Sequence, residues 1–232
     1  MKTAILIPCY NEEQTIVKVI DDFKKYLPTA TIYVYDNNST DNSRRLAVFS
    51  GATVIHAPIQ GKGAVVKQMF DDARKFRFAD YYIMVDGDDT YPASEVYKLL
   101  DLAPEGDMII GDRLSSTYFT ENKRPFHNFG NKIVRFLTNL FFCPKDVDEI
   151  LDVMTGYRCF NQKFIDAFYP LSDGFQIETE MSAFALKNGF KILQTPITYK
   201  DRPKGSVSKL NTLKDGFKVM TMLVTLFSRW KI

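Results

Sequence analysis

Val85-Asp86-Gly87-Asp88-Asp89-Thr90 closes the apolar run Tyr81-Tyr82-Ile83-Met84-Val85, and the fold is read outward from it. A short run of aromatic and aliphatic residues that stops at a polar cluster is a buried strand. The cluster then sits at the strand's carboxyl end. Two carboxylates flank a glycine there, and hard oxygen ligands suit Mg2+ or Mn2+, which can bridge to a diphosphate. Gly87 is expected to let the backbone turn closely around the ion. Asp86, Asp88 and Asp89 repel one another without a cation among them. The alternative is an acidic turn that caps the following helix.

Similar punctuation recurs on both sides of this stretch. Thr3 to Pro8, Thr31 to Tyr35, Ala52 to Ile55 and Asp107 to Ile110 read as further strands. Glu12 to Tyr26 has helical spacing, with Ile16, Val19, Ile20 and Phe23 on one face. Asp41 to Phe49, capped by Ser39 or Thr40, Gly63 to Phe76 and Ala93 to Leu102 also read as helices. Strand and helix alternate through the first 110 residues, which predicts a mostly parallel α/β sheet with helices on both faces. Ligands of such sheets bind at the carboxyl ends of the strands.

The other polar clusters fall at those ends. In Pro8-Cys9-Tyr10-Asn11-Glu12-Glu13, proline ends the strand and Tyr10 offers a ring to a nucleobase or ribose. The plainer reading is a strand-to-helix turn capped by Asn11. In Asp36-Asn37-Asn38-Ser39-Thr40-Asp41, a carboxylate can accept from a base N–H or a ribose hydroxyl, or the segment is Asx-turn and capping chemistry alone. Gly61-Lys62-Gly63-Ala64 opens a helix, where Lys62 and the helix N-terminus favour an anion. The glycine spacing is not that of a P-loop. Val66 stands where a dinucleotide fingerprint needs its third glycine, so an NAD site is excluded.

The second half is less periodic. Ser115 to Phe126 reads as a loop, Asn131 to Phe142 as an amphipathic aromatic helix, and Asp152 to Phe160 as a strand. Glu178 to Lys187 is helical, Lys191 to Tyr199 strand-like, and Asp201 to Leu210 a basic, serine-rich loop. Neither a repeat nor a linker interrupts the 232 residues, so one domain is expected over 1–232. Hydrophobic residues make up 45%, which excludes disorder. A net charge of +2 gives no reason to expect nucleic acid. Cys9, Cys143 and Cys159 form no metal or disulfide pattern, in keeping with a reducing cytoplasm. The N-terminal apolar run lacks a cleavage site and reads as a strand rather than a signal peptide. Val219 to Ser228 is uncharged but shorter than the roughly 20 residues of a membrane span. It is either a core helix or an interfacial one, with Arg229, Trp230 and Lys231 at headgroup level.

The ordered set IPCYNEE, VYDNNSTDNS, GKGAV and MVDGDDTYP resembles the family 2 glycosyltransferases with the GT-A fold. GDRLSS, KRPFHNFGNK, DVMTGYRCFN, GFQIETEM and DRPKGSVSKLNT are similar to the polyprenyl-phosphate branch, which includes dolichyl-phosphate mannosyltransferase and bacterial undecaprenyl-phosphate glycosyltransferases. The resemblance covers nearly the whole chain. It implies a nucleotide-sugar-binding half over 1–110 and an acceptor half over 111–232. Pro8, Tyr10 and Glu12 match nucleotide positions, Asp36 a base contact, and Lys62 a neighbour of the nucleotide. Asp86 and Asp88 match the metal and diphosphate positions. Arg113 and Arg124 match basic residues that hold the lipid phosphate, so that Asp88, Arg113 and Arg124 carry the catalytic expectation. Arg202, Ser206 and Lys209 fall in a mobile loop that closes over the diphosphate. Thr90 stands where the mannosyltransferase branch can place a glutamine metal ligand, which leaves the metal geometry open.

The implied reaction transfers a sugar from a nucleotide-sugar, a UDP-sugar by preference, to a polyprenyl phosphate with Mg2+ or Mn2+. A phosphate monoester, with its second pKa near 6, needs cationic groups more than a base. A saccharide hydroxyl acceptor would need a base, for which Glu178 and Glu180 are candidates; otherwise they are the acidic first turn of a helix. A non-catalytic nucleotide-binding module is the third reading. A lipid acceptor implies work at the inner face of the cell membrane without a span. Asn131 to Phe142 and Phe217 to Trp230 are the candidate contacts. Many members of the family continue into membrane helices, whereas this sequence ends at Ile232, so a small integral-membrane partner is the other expectation.

Overall fold

The computed structural model describes residues 1–115, 125–203, 205–209 and 211–230, with the side chains of 125–129, 212 and 213 left aside. Seven strands form one sheet: β1 (Thr3–Cys9), β2 (Thr31–Asp36), β3 (Thr53–His56), β4 (Tyr81–Met84), β5 (Met108–Asp112), β6 (Arg158–Asn161) and β7 (Ile192–Pro196). Their order is β3-β2-β1-β4-β6-β5-β7. All neighbours are parallel except β6, which runs antiparallel between β4 and β5. The helices are α1 (Ile16–Tyr26), α2 (Ser43–Phe49), α3 (Lys62–Phe76), α4 (Val96–Leu100), α5 (Pro125–Phe142), α6 (Gln162–Ala167), α7 (Ile177–Lys187) and α8 (Thr212–Trp230).

The two faces of the sheet follow from side-chain alternation. On β1, Ile5, Ile7 and Cys9 face α1, α2 and α4, while Ala4 and Leu6 face α3 and the C-terminal helices. Ile16, Val19, Ile20 and Phe23 are buried, as their spacing predicts. The mostly parallel sheet with helices on both faces is therefore the fold expected. An aromatic cluster on the second face joins β6 to α6, with Phe160 and Phe164 stacked at 5.2 Å and Phe70 edge-on to Phe160 at 5.2 Å.

Several boundaries differ from the sequence reading. The expected strand 152–160 contracts to Arg158–Asn161. Its first part is an irregular segment in which Asp152 binds Arg113 and Gly156 packs on Asp86. The helix expected from Ala93 begins as a 3-10 turn at Ala93–Glu95 before α4. Helix α2 starts at Ser43 with Asn42 at its N-cap, so neither Ser39 nor Thr40 caps it; the Ser43 amide donates to Asp41 Oδ1 at 2.9 Å in an Asx-type turn. Part of the expected loop 115–126 lies outside the described residues, and α5 begins at Pro125.

Candidate active site

The carboxyl ends of β1, β2 and β4 meet at one edge of the sheet, where a cleft of about 270 Å3 lies. Pro8, Cys9, Tyr10 and Glu12 line it from β1, Asn37 from β2, and Asp86, Gly87 and Asp88 from β4. Gln60, Gly61 and Lys62 add the head of α3, Phe175 the approach to α7, and Arg202 and Lys209 the downstream loop. The turn after each of the three strands holds one residue in the left-handed region: Asn11 (φ 53), Asn38 (φ 62) and Asp89 (φ 58). Asn and Asp tolerate that conformation best among non-glycine residues. The turning residue of the acidic motif is thus Asp89 and not Gly87. Gly87 instead packs on β1, where an added Cβ would meet Ile7 Cγ2 at 3.4 Å, and its carbonyl accepts from Thr15 Oγ1 at 2.7 Å.

The first two turns brace each other. Ser39 Oγ accepts from Asn11 N at 3.0 Å, Ser43 Oγ from Glu12 N at 2.7 Å, and Asn11 Oδ1 from Thr40 N at 2.8 Å. The Asx-type chemistry expected of the Asp36 to Asp41 segment is therefore present. It does not use Asp36, which lies 3% exposed with Oδ1 lacking a hydrogen-bond partner. Asn37, which the sequence reading passed over, pins the loop to α3. Its amide donates to the carbonyls of Ala57 and Ile59 and accepts from Gly61 N at 2.8 Å.

Four carboxylates and three cations meet in the cleft. Lys62 Nζ lies 2.6 Å from Asp86 Oδ1 and 2.5 Å from Glu178 Oε1. Arg202 Nη2 lies 2.5 Å from Asp88 Oδ2, and Lys209 Nζ lies 2.7 Å from Glu12 Oε1. One formal negative charge remains. Burial raises the carboxyl pKa of Glu178, Asp88 and Glu12; Asp86 adds to the rise at Asp88, while Lys62 and Lys209 oppose it at Glu178 and Glu12. Burial pulls the Lys62 ammonium down, but Asp86 and Glu178 together carry it above its ordinary value. Thr90 donates to Asp88 Oδ1 through Oγ1 at 2.6 Å and through its amide at 3.2 Å, which fixes that carboxylate's orientation.

Most of the residues singled out in the sequence thus converge: Pro8, Tyr10, Glu12, Lys62, Asp86, Asp88, Arg202 and Lys209 line the cleft. Ser206 is beside it, within 3.3 Å of Arg202 Nη1. Arg113 is 6% exposed and forms a two-pronged pair with Asp152, Nε to Oδ2 at 2.7 Å and Nη2 to Oδ1 at 2.9 Å. Arg124 lies outside the described residues. The head of α3 is not an open anion site, because Asp173 O accepts from Gly63 N at 2.9 Å and from Ala64 N at 3.3 Å. Glu180 accepts from Leu171 N at 2.7 Å and Ser172 N at 2.9 Å, so both of its oxygens are committed to holding that loop.

Comparison with known proteins agrees with this architecture. The chain is 38% identical over 213 residues to glycosyltransferase AglJ of Haloferax volcanii, covering 91% of this chain and 67% of that protein. It is 26% identical over 225 residues to polyprenol monophosphomannose synthase of Mycolicibacterium smegmatis, covering 90% and 81% respectively. Glucosyl-3-phosphoglycerate synthase from Mycobacterium tuberculosis, solved with Mn2+, uridine diphosphate and phosphoglyceric acid, superposes with a TM-score of 0.73. That match has 18% identity over 100% of this chain and 79% of the other, and it bears out the expected GT-A fold. The relatives bear out the resemblance to the polyprenyl-phosphate branch. The family model described as glycosyl transferase family 2 matches residues 4–163, from β1 through β6, and this chain belongs to that family as a glycosyltransferase.

Proposed function

We propose that the enzyme transfers a sugar from a nucleotide-sugar, a UDP-sugar by preference, to a polyprenyl phosphate at the cytoplasmic membrane face, with Mg2+ or Mn2+ at Asp86 and Asp88. The observation that carries this reading is the charge balance of the cleft. With one formal negative charge left after pairing, it repels a diphosphate unless a cation enters with it. The residues fit such an ion. No group of three or more His, Cys, Asp or Glu able to hold a metal occurs among the described residues. Two carboxylates are nevertheless the usual protein share for Mg2+, with phosphate oxygens and water completing the shell. An added Cβ at Gly156 would collide with Asp86 Oδ2, so the glycine there keeps room for that carboxylate. The bound ion supplies charge stabilisation to the departing nucleoside diphosphate.

The chain's own residues do the rest. Tyr10 gives a half-open ring at the cleft wall, while Asp36, the expected base contact, is buried and is not among the residues that line the cleft. Arg202 and Lys209, on the loop that covers Glu12 and Asp88, exchange those carboxylates for phosphate oxygens as donor and ion arrive. The acceptor phosphate, already ionised at neutral pH, attacks the anomeric carbon without a base. Arg113 and Arg124 stand on the acceptor side in this reading, Arg113 as a guanidinium already ordered by Asp152. For a hydroxyl acceptor, Glu178 is the remaining base, and its bond to Lys62 disfavours that role. A screen of UDP- and GDP-sugars against undecaprenyl phosphate with Mn2+ or Mg2+ is the direct test. Transfer to the lipid phosphate is expected. Transfer only to a saccharide hydroxyl would overturn the acceptor assignment.

The membrane reading rests on the outer faces of α5 and α8. No helix among the described residues is long and apolar enough to cross a bilayer. The inner faces are core, with Phe141 and Phe227 stacked at 4.5 Å and Phe142 edge-on to Trp230 at 5.5 Å. The outer faces keep Phe136 (62%), Leu140 (61%), Phe217 (75%) and Val224 (59%) exposed, beside Lys132, Lys218 and Arg229. That pairing of apolar and basic groups suits an anionic interface. Purified protein is expected to float with anionic liposomes, less so at high salt, and Phe136→Ser with Leu140→Ser should weaken it. Recovery with cell membranes but not liposomes would point to an integral-membrane partner.

A further inference from the structure

The two glycines around Lys62 explain how its side chain is placed. An added Cβ at Gly61 would collide with Asp173 O, and one at Gly63 with Ser172 O. Gly61 also sits at φ 129, a conformation that side chains rarely adopt. The loop that presses on them is held by Glu180, through Leu171 N and Ser172 N. Glu180 and Glu178 both belong to the first turn of α7. The head of α3 is thereby set against the head of α7, with Lys62 reaching Glu178 from one helix to the other.

The three cations of the cleft then fall into two kinds. Arg202 and Lys209 come from the covering loop and are 25% and 24% exposed. Lys62 is 12% exposed, starts a helix, and shares its ammonium between Asp86 and Glu178. An ammonium has three donors and is a compact charge that follows its nearest carboxylate. With Glu178 present, Lys62 is held from behind when Asp86 turns to a divalent ion. Without it, Asp86 is the carboxylate left to Lys62 in this pair of contacts, and the ammonium competes with the ion for it.

We propose that Glu178 is a positioning residue that acts through Lys62, holding it as the fixed cation of the cleft beside the diphosphate while Asp86 is given over to the metal. This rests on the reading of the cleft as a site for nucleotide and divalent ion. Glu178 does not touch the reacting atoms.

A double-mutant cycle tests it without any acceptor. UDP affinity is measured by calorimetry, with and without Mn2+, for the wild type, Glu178→Gln, Lys62→Met and the double variant. Each single substitution is expected to weaken Mn2+-dependent UDP binding about tenfold, a typical coupling for contacting charges. The double variant should bind no worse than Lys62→Met alone. The effect of Glu178→Gln should be larger with Mn2+ than without and should vanish in the Lys62→Met background, a combination that a merely structural role would not produce. Additive losses, or equal losses with and without Mn2+, would overturn the proposal. Should Glu178→Gln fail to fold, Glu178→Asp keeps the charge, shortens the reach and enters the same cycle. If the wild type binds neither UDP nor GDP, the donor reading of the cleft falls instead, which separates the two failures.

Discussion

Asp88→Asn is expected to depress turnover about a hundred- to a thousandfold, the equivalent of the several kcal/mol that a metal contributes at a leaving phosphate. The substitution keeps the side chain's shape and removes its charge. Asp88 is 4% exposed and has both oxygens engaged, Oδ1 by Thr90 and Oδ2 by Arg202. An amide in its place presents N–H to one of those donors, so the loss combines a missing ligand with a mismatched hydrogen bond. A chelator should abolish the same activity, and Mn2+ or Mg2+ should restore it in the wild type but not in the variant. The measurement is sugar transfer at saturating donor. Full activity of Asp88→Asn, or in chelator, would end the metal assignment.

That assignment could be read from the sequence because it is local. Asp86 and Asp88 follow an apolar strand directly, and the strand's polar end is visible in the chain itself. β1, β2 and β4 were legible for the same reason, and the topology of an α/β sheet brought Tyr10, Asp36 and Asp86 to one edge. What was not legible came from distant contacts. The α3 N-terminus looked open to an anion, but a carbonyl from Asp173 covers it. Glu178 and Glu180 are two positions apart in one motif yet serve different partners, Lys62 and the 171–172 loop. Nothing in the letters ETE separates them. The segment 152–157 carries apolar residues that mimic a strand, but its backbone is spent on the Arg158 guanidinium, through the carbonyls of Val153 and Thr155, and on Tyr91, through Gly156 N. β6 therefore starts only at Arg158. Arg158 itself is fully buried, with its guanidinium on the carbonyls of Val153 and Thr155, and burial lowers its pKa to about 10.

Arg113→Ala is expected to lower the melting temperature by about 10 °C, because breaking a buried ion pair from one side costs about 3–5 kcal/mol and each kcal/mol is worth about 2–4 °C at this size. The Arg113 and Asp152 side chains are 8% and 1% exposed, so the carboxylate left behind cannot recover its hydration. Arg113→Lys keeps the charge but loses the fork that meets both oxygens, and should recover only part of the loss. The consequence extends to the cleft. Asp152 holds the start of a segment in which Gly156 N donates to Tyr91 Oη at 2.9 Å, and Gly156 packs directly against Asp86. Loosening that segment should blur the position of Asp86. Nucleotide affinity in Arg113→Ala is then expected to fall mainly in its Mn2+-dependent part, whereas the better-folded Arg113→Lys should keep that affinity and show a raised acceptor KM. Thermal melts and UDP calorimetry on the two variants separate the structural contribution of Arg113 from its proposed contact with the acceptor. An unchanged melt for Arg113→Ala would remove the buried pair from the account of stability. Normal acceptor kinetics in Arg113→Lys would remove Arg113 from the acceptor site.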